Sequence, residues 1–459
     1  MTAVGRDRTG PSPGGGTVMR LTDALRLRPG MSVAFTGAGG KSSALESLAQ
    51  ESRGADLIVL TTTTRLGTAQ RSLADEHVIV RSVEEARRFP ILPGRSILVT
   101  GPEDERESKL PGLEGDVLAE VARRCWAEGA LLAIEADGAR GRWVKAPSDH
   151  EPVVPAWVDV AVPVAGLPAV GFPLSPATAH RPERIAGLLG MKEGDVLTAR
   201  LLAALVSSQS GGLQGIPEGA EVRVLLTGAD SASLENIAEV RDRLLATPRV
   251  RAVVTGELPS SDPVRGVDGR VAGIVLAAGA GERFGGPKQL ARWKGRPLLS
   301  YALQAARGGG LSPIVVVLGA RPDDVRSAAD QGAAFVHNAE WQDGQSTSVR
   351  AGLSAAEGQV EAAVFLLADM PRVNGATIRR LVEAHRVSLP AIVAPVGGGR
   401  RGNPVLFDRR VFPALHALRG DQGGRSLLER WPWQAVEADP HEFAEIDRPE
   451  DLAQLEQDP

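Results

Sequence analysis

Residues 271–276 (VAGIVL) form an apolar run that ends in Leu276-Ala277-Ala278-Gly279-Ala280-Gly281-Glu282-Arg283-Phe284-Gly285-Gly286-Pro287-Lys288, and this pairing constrains the fold more than any other feature of the chain. A short apolar run stopped by glycine reads as a buried strand. The turn behind it lets bare backbone N–H groups approach an anion, and Arg283 and Lys288 add the positive charge that a triphosphate demands. The spacing is not that of a P-loop, because no Gly-Lys-Ser/Thr closes it, and it differs from the dinucleotide fingerprint, which lacks Arg and Lys at these offsets. Read alone, the stretch is either a nucleotide site or a glycine turn with two solvated bases.

A chain of 459 residues exceeds one hydrophobic core, so two domains are expected. The net charge of -4 provides no basic field for nucleic acid, which leaves small molecules as the expected partners. Cys125 is the single cysteine, so an intramolecular disulfide and a Cys-rich metal site are excluded and a reducing cytoplasm fits. No apolar run approaches bilayer length, so no membrane partner is expected. Residues 1–18, rich in Gly and Pro, predict a disordered tail. A second punctuated stretch, 259–270, reads as a linker between an N-terminal domain (19–258) and a C-terminal one (271–459), each folding independently with its own nucleotide site.

Both halves alternate short aliphatic strands with helical patterns. Strands are predicted at 32–36, 57–61, 96–100, 131–135, 158–164, 222–226 and 251–255, then at 271–276, 313–318, 333–336, 362–367 and 391–395. Helices are predicted at 41–51, 116–128, 196–207 and 233–245, then at 298–307, 348–356 and 375–387. This alternation predicts α/β architecture throughout, as two three-layer αβα domains with largely parallel sheets.

Transfer of a nucleotidyl group calls for a divalent cation and hard oxygen ligands at a strand end. Asp369, closing Val364-Phe365-Leu366-Leu367-Ala368-Asp369-Met370-Pro371, is placed to supply one. The C-terminal half then resembles the molybdenum cofactor cytidylyltransferases, MobA-like NTP transferases, and more distantly their guanylyltransferase relatives. The matching pieces are Leu276 to Leu290, Asn338 with Trp341 to Leu353, the LLADMP ending at Pro371, Gly402 to Phe407, Gly420 to Arg425, and Ile446 to Leu452. The resemblance implies a Rossmann-like nucleotidyltransferase sheet and transfer of CMP from CTP to the terminal phosphate of molybdopterin, with Mg²⁺. Leu276, Ala277, Ala278, Gly279 and Gly281 would bind the nucleotide, and Arg283 and Lys288 would hold its phosphates. Asp369 would carry the metal. Asp447 is the family-matched second metal contact, or else an N-cap ahead of Pro449. Ala278, where guanylyl relatives usually carry Gly, favours CTP over GTP. Gln345, Ser346 and Ser348 are expected to meet base, ribose or acceptor, or to cap the following helix, and Arg400, Arg401 and Asn403 to grip the acceptor phosphate or to form a solvated loop.

The N-terminal half offers Val33-Ala34-Phe35-Thr36-Gly37-Ala38-Gly39-Gly40-Lys41-Ser42-Ser43, a strand, a glycine turn and a helix opening with Lys-Ser. Gly37, Gly39, Gly40, Lys41 and Ser42 read as a P-loop-like cradle, although Phe35 stands where the first glycine should be. Thr61 to Thr64 and Glu135-Ala136-Asp137-Gly138 end two further strands, and such an acid suits a magnesium shell. A helix cap for Ser42 and turn polarity for Asp137 are the alternatives. Thr227 to Asp230 sit where a guanine-reading motif would, without its Asn and Lys. On TGAGGKSS, TTTTRL, Glu135 to Pro147 and His150 to Pro155, this half resembles the YqeC accessory family associated with selenium-dependent molybdenum hydroxylases. The resemblance implies a P-loop-like parallel sheet, a second nucleotide, and an apo molybdenum hydroxylase of the xanthine dehydrogenase type as recipient. Lys145 and His150 are candidates to contact an acidic ligand. The rival functions are a guanylyltransferase or another small-phosphate nucleotidyltransferase, and a non-catalytic cofactor carrier.

Overall fold

The computed structural model of the protein describes residues 18–52, 56–104, 108–329 and 332–457. Apart from Val18, the tail expected over residues 1–18 lies outside them. Each half carries one large sheet. In the first the order is 264–269, 250–256, 221–227, 160–166, 32–37, 131–135, 58–62, 96–100 and 76–79, and every pairing is parallel except that of the 264–269 edge. In the second it is 334–337, 314–318, 271–276, 362–367, 405–408, 392–397 and 400–401, with 433–437 also parallel to 392–397. Strand 405–408 runs antiparallel to its neighbours.

Both sheets are apolar on both faces, as parallel strands between helix layers must be. Val275, Val316, Val364 and Leu366 point into one core and Ile274, Val315, Ala363 and Phe365 into the other, so successive side chains fill opposite layers. Val33 and Phe35 are separated from Ala34 in the same way. Helix ends follow local chemistry. Asn374 accepts from the amides of Ala376 and Thr377 at 2.9 and 3.0 Å to start Gly375–Ser388. Gly129, at φ 70°, ends Gly115–Glu128 in the left-handed conformation.

The linker expectation is corrected by the structure. Val264–Gly269 is a strand, paired antiparallel with Val250–Gly256, and it buries Val264 and Val267 in the first core. Its glycines and the prolines before it read as punctuation, but the preceding strand Val250–Gly256 (Val253 opposite Asp268 is one pair) supplies the ladder that local propensity lacks. Leu389 of the second half joins the same core cluster.

A buried charged network also joins the halves. Glu361, at the start of the second half's central strand, receives Arg223 at 2.9 Å, Arg251 at 2.9 Å, Arg26 at 3.3 Å and Arg409 at 2.9 Å. Three of these four arginines belong to the first half. Arg26 further donates to both oxygens of Asp408, which His385 meets at 2.7 Å. A chain beginning near Val267 would cut a sheet strand and strand Glu361 without most of its partners, so the halves meet as one packed body.

Candidate active site

The second sheet reverses direction of growth beside strand Val271–Leu276. The chain moves outward to 314–318 and 334–337, then returns to pair 362–367 on the other side. Leu276 is in register with Leu367, so the glycine turn and Asp369 leave the sheet side by side at the switch point, where open α/β sheets bind ligands. There a cavity of about 660 Å³ opens.

Leu276, Ala278, Gly279, Gly281, Arg283, Lys288, Asp369 and Asp447 all line this cavity. Ala277 does not. Its side chain is buried in the core, its amide donates to Val317, and its carbonyl accepts from Gln289 at 3.1 Å. Gln289, which sequence reasoning missed, also donates to the Gly279 carbonyl at 3.2 Å, so one buried amide side chain fixes the turn from below. Gly281 sits at φ 71°, the left-handed region, and a Cβ there would strike the Gly286 carbonyl; the turn therefore requires glycine.

Lys288 is the electrostatic centre. Its Nζ lies 2.5 Å from Asp369 Oδ2 and 2.7 Å from Asp447 Oδ1. Burial draws the ammonium's pKa down, but the two carboxylates outweigh it and the net shift is upward. The hydrogen bond from Lys288 holds Asp447 below the usual carboxylate range. The Asp447 carboxylate accepts from Lys288 and, among the described residues, from no backbone amide of helix Pro449–Gln457, while Asp451 takes the amides of Asp447 and Arg448 at 2.9 and 2.7 Å. Glu445, also missed in the sequence, completes a carboxylate trio with Asp369 and Asp447, whose nearest oxygens all lie within 4.8 Å of one another. Desolvation together with the charges of Asp369 and Asp447 pushes Glu445 up. Asp369 Oδ1 is buried with no hydrogen-bond partner among the described residues. A trio of hard oxygens with one orphaned oxygen fits a divalent cation. Arg283 stands at the rim, largely exposed, 3.9 Å from Asp447.

The segment after strand 334–337 builds the opposite wall. Asn338 donates to Thr347 and Ser348 at 2.8 and 3.0 Å and so clamps the start of helix Gln345–Ala356. The helix is not capped by its own serines: the Gly420 carbonyl accepts from Ser346 N, and the Asp421 carboxylate accepts from Gln345 N. Gln345 and Ser348 face the cavity, whereas Ser346 is fully buried. Arg400 and Arg401 form an exposed hairpin outside it, Arg401 over the Trp433 ring at 5.6 Å, while Asn403 lines an adjoining cleft of about 210 Å³ that shares Gln345, Leu367 and Glu445 with the main cavity.

In the N-terminal half, Gly39, Gly40, Lys41 and Ser42 line a cavity of about 940 Å³ at the carboxyl end of strand Ser32–Gly37. Gly37 lies behind it, its amide donating to Asp137 at 3.0 Å and its carbonyl accepting from Lys41 Nζ at 2.5 Å. A Cβ on Gly39 would lie 2.5 Å from both Gly166 N and the Trp143 carbonyl, so backbone approaches backbone here. Lys41 and Lys145 reach opposite oxygens of buried Asp137, each at 3.0 Å. Glu135 faces the cavity 3.4 Å from the Ser42 hydroxyl, and burial raises its pKa. Thr62 and Thr63 are spent on the Glu135 and Val153 carbonyls. Asp230 is held by Arg265 with two bonds at 2.8 Å, and Thr227 donates to the Gly39 carbonyl, which makes that segment a support for the turn. Lys145 also bonds Glu151 at 2.8 Å, and His150 is exposed.

Residues 273–437 match the model of the MobA-like NTP transferase domain. The probable molybdenum cofactor guanylyltransferase of Bacillus licheniformis is 31% identical over 194 residues, 40% of this chain and 95% of that one. The chain belongs to the MobA-like NTP transferase family. Nicotine blue oxidoreductase of Paenarthrobacter nicotinovorans is 34% identical over 174 residues, 36% of this chain and 83% of its own length. Residues 33–183 match the YqeC protein model, and the uncharacterized protein YqeC of Escherichia coli is 29% identical over 194 residues, 41% of this chain and 72% of that one. The chain is thus a YqeC-like half joined to a nucleotidyltransferase half. Among the described residues no helix is long and apolar enough to cross a membrane.

Proposed function

We propose that the C-terminal half transfers CMP from CTP to the terminal phosphate of molybdopterin and releases pyrophosphate, and that the N-terminal half binds a second nucleotide in support of maturing an apo molybdenum hydroxylase of the xanthine dehydrogenase type. The observation that carries the first part is Lys288 held between Asp369 and Asp447 beneath the glycine turn. A Mg²⁺ ion on the Asp369, Glu445 and Asp447 oxygens would neutralise phosphate charge when bound. Lys288, released from its carboxylates, turns to the β- and γ-phosphates, and Arg283 closes on them from the rim. An acceptor oxygen attacks the α-phosphorus while the bond to the pyrophosphate oxygen breaks. Because the acceptor is already an anion, no general base is required, and catalysis consists of in-line positioning and charge neutralisation. We place the domain boundary after Gly269, the last residue of the first sheet.

Ala278 supports CTP. It lines the cavity wall, nearly buried beside Gly319, where on this reading a side chain in place of glycine disfavours the larger base. The guanylyltransferase name of the Bacillus relative makes GTP the competing donor. Pyrophosphate release measured with each of the four NTPs, Mg²⁺ and molybdopterin decides between them. CTP is expected to be used best, with Ala278→Gly relaxing the preference, and a wild type that prefers GTP refutes the CMP assignment. Asp369→Ala is expected to abolish transfer with the fold intact, and activity retained within about threefold excludes Asp369 as metal ligand.

A further inference from the structure

The N-terminal cavity is lined by an excess of positive charge. Lys41, Arg65, Lys109, Arg140, Arg142 and Arg181 line it against Glu135 and Glu151, six cations less two carboxylates, a surplus of four. Its volume of about 940 Å³ lies near the top of the roughly 300–1,000 Å³ range of small-molecule sites. Part of the charge is already matched. Lys41 is tied to Asp137, and Arg181 grips Glu151 at 2.8 and 3.2 Å. Arg140 and Arg142 have no ion-pair partner among the described residues.

The loop bearing these two arginines is held at both ends. The Gly138 carbonyl accepts from buried Lys145 at 2.7 Å, Trp143 N donates to the Thr178 carbonyl at 3.0 Å, and the Trp143 carbonyl accepts from Gly166 N at 2.8 Å. His180 lies beside the loop. Burial, with the charges of Arg181, Lys145 and Arg140, lowers the pKa of its imidazole. At the glycine turn, the amides of Gly39, Gly40, Lys41, Ser42 and Ser43 donate to no group among the described residues. Glu135, 7% exposed, faces the same space 3.4 Å from the Ser42 hydroxyl, with the charges of Lys41, Asp137 and Lys145 close by. The open amides with Lys41 suffice for one polyphosphate chain. That leaves Arg140 and Arg142 without an anion.

We propose that this cavity holds two anionic ligands together: a nucleotide polyphosphate on the Gly39–Ser43 amides, and a second, phosphate-bearing ligand on Arg140 and Arg142 beside His180. The inference rests on the reading of the Gly37–Ser42 turn as a nucleotide site. An arginine pair on a rigid loop offers the forked donors that suit a phosphate monoester, and simultaneous occupancy would bring two substrates into one chamber.

The test uses calorimetry on the full chain carrying Arg283→Ala and Lys288→Ala, which silences phosphate binding in the C-terminal half. The probes are inorganic tripolyphosphate with Mg²⁺ and inorganic phosphate. Phosphate is expected to bind protein already saturated with tripolyphosphate. Adding Arg140→Ala with Arg142→Ala is expected to weaken phosphate by about tenfold or more and tripolyphosphate by less than about threefold, while Lys41→Ala does the reverse. Competition between the probes, absence of phosphate binding, or equal weakening of both by the arginine substitutions overturns the proposal in favour of a single ligand. Tripolyphosphate binding unchanged by Lys41→Ala instead refutes the nucleotide reading of the turn.

Discussion

Arg223 Nη2 lies 2.9 Å from Glu361 Oε1 with both side chains buried, and this contact joins residues 138 positions apart on the two sheets. Removing a charge from water costs several kcal/mol, so neither residue is tolerable there alone. Burial pushes the Glu361 carboxyl up, but Arg223, Arg409, Arg26 and Arg251 outweigh it and hold the group well below the usual range. The consequence is mechanical coupling. The transferase sheet and the YqeC-like sheet share a charged centre, and separating the halves would strip Glu361 of three of its four arginines.

Glu361→Ala is therefore expected to destabilise the protein by about 3–5 kcal/mol, because it removes the carboxylate that four guanidiniums share, leaving Arg251 with carbonyl partners and Arg223 and Arg409 to share Glu221 alone. Urea unfolding should show both halves melting in one transition in the wild type. Glu239→Ala, which breaks an exposed pair with Arg243, is the control and should change stability by less than about 0.5 kcal/mol. Equal effects of the two substitutions would dismiss the interface as a stabilising element.

Asp268, on the strand that the sequence disguised as a linker, has its carboxyl pushed up from 3.8 to about 6, by burial first, against the pull of Arg241 and Arg386. A raised acid favours the folded state in its neutral form, so its contribution is present below pH about 4 and is lost as the pH climbs through 6. The shift of about 2.2 (6 minus 3.8) corresponds to at most about 3 kcal/mol. Asp268→Asn should thus stabilise the protein at pH 8 by up to that amount, with the gain closing below pH 4 in parallel denaturation curves.

Lys288 competes with any cation for Asp369 and Asp447. Lys288→Ala should lower transfer turnover by roughly 10²–10³ through the lost phosphate contact. It should also tighten Mn²⁺ binding, followed by electron paramagnetic resonance, because the carboxylates are freed. Weaker Mn²⁺ binding in the variant would remove the carboxylate trio as the metal centre.

The Cys125 thiol is buried, and desolvation raises it to about 12. A thiol so protonated presents no thiolate at neutral pH. Labelling with a disulfide reagent at pH 8 should be negligible in native protein and complete after unfolding. Rapid native labelling would mean that helix Gly115–Glu128 opens readily.

What the sequence by itself determined is local. Apolar runs such as 271–276, 362–367 and 131–135 became strands within a residue or two of expectation, since a buried parallel strand is a contiguous signal. The glycine turns, Arg283, Lys288 and Asp369 were likewise readable, because a strand end fixes where its next residues emerge. Tertiary structure decided the rest. Glu445 and Gln289 carry no motif, and they matter only because the switch point brings 276–289, 367–369 and 445–447 to one place. Strand 264–269 needed its hairpin partner, and Glu361 looked like any acid before a strand. Its four arginines come from positions 26, 223, 251 and 409, and no pattern within one segment can report a charge balance assembled from four.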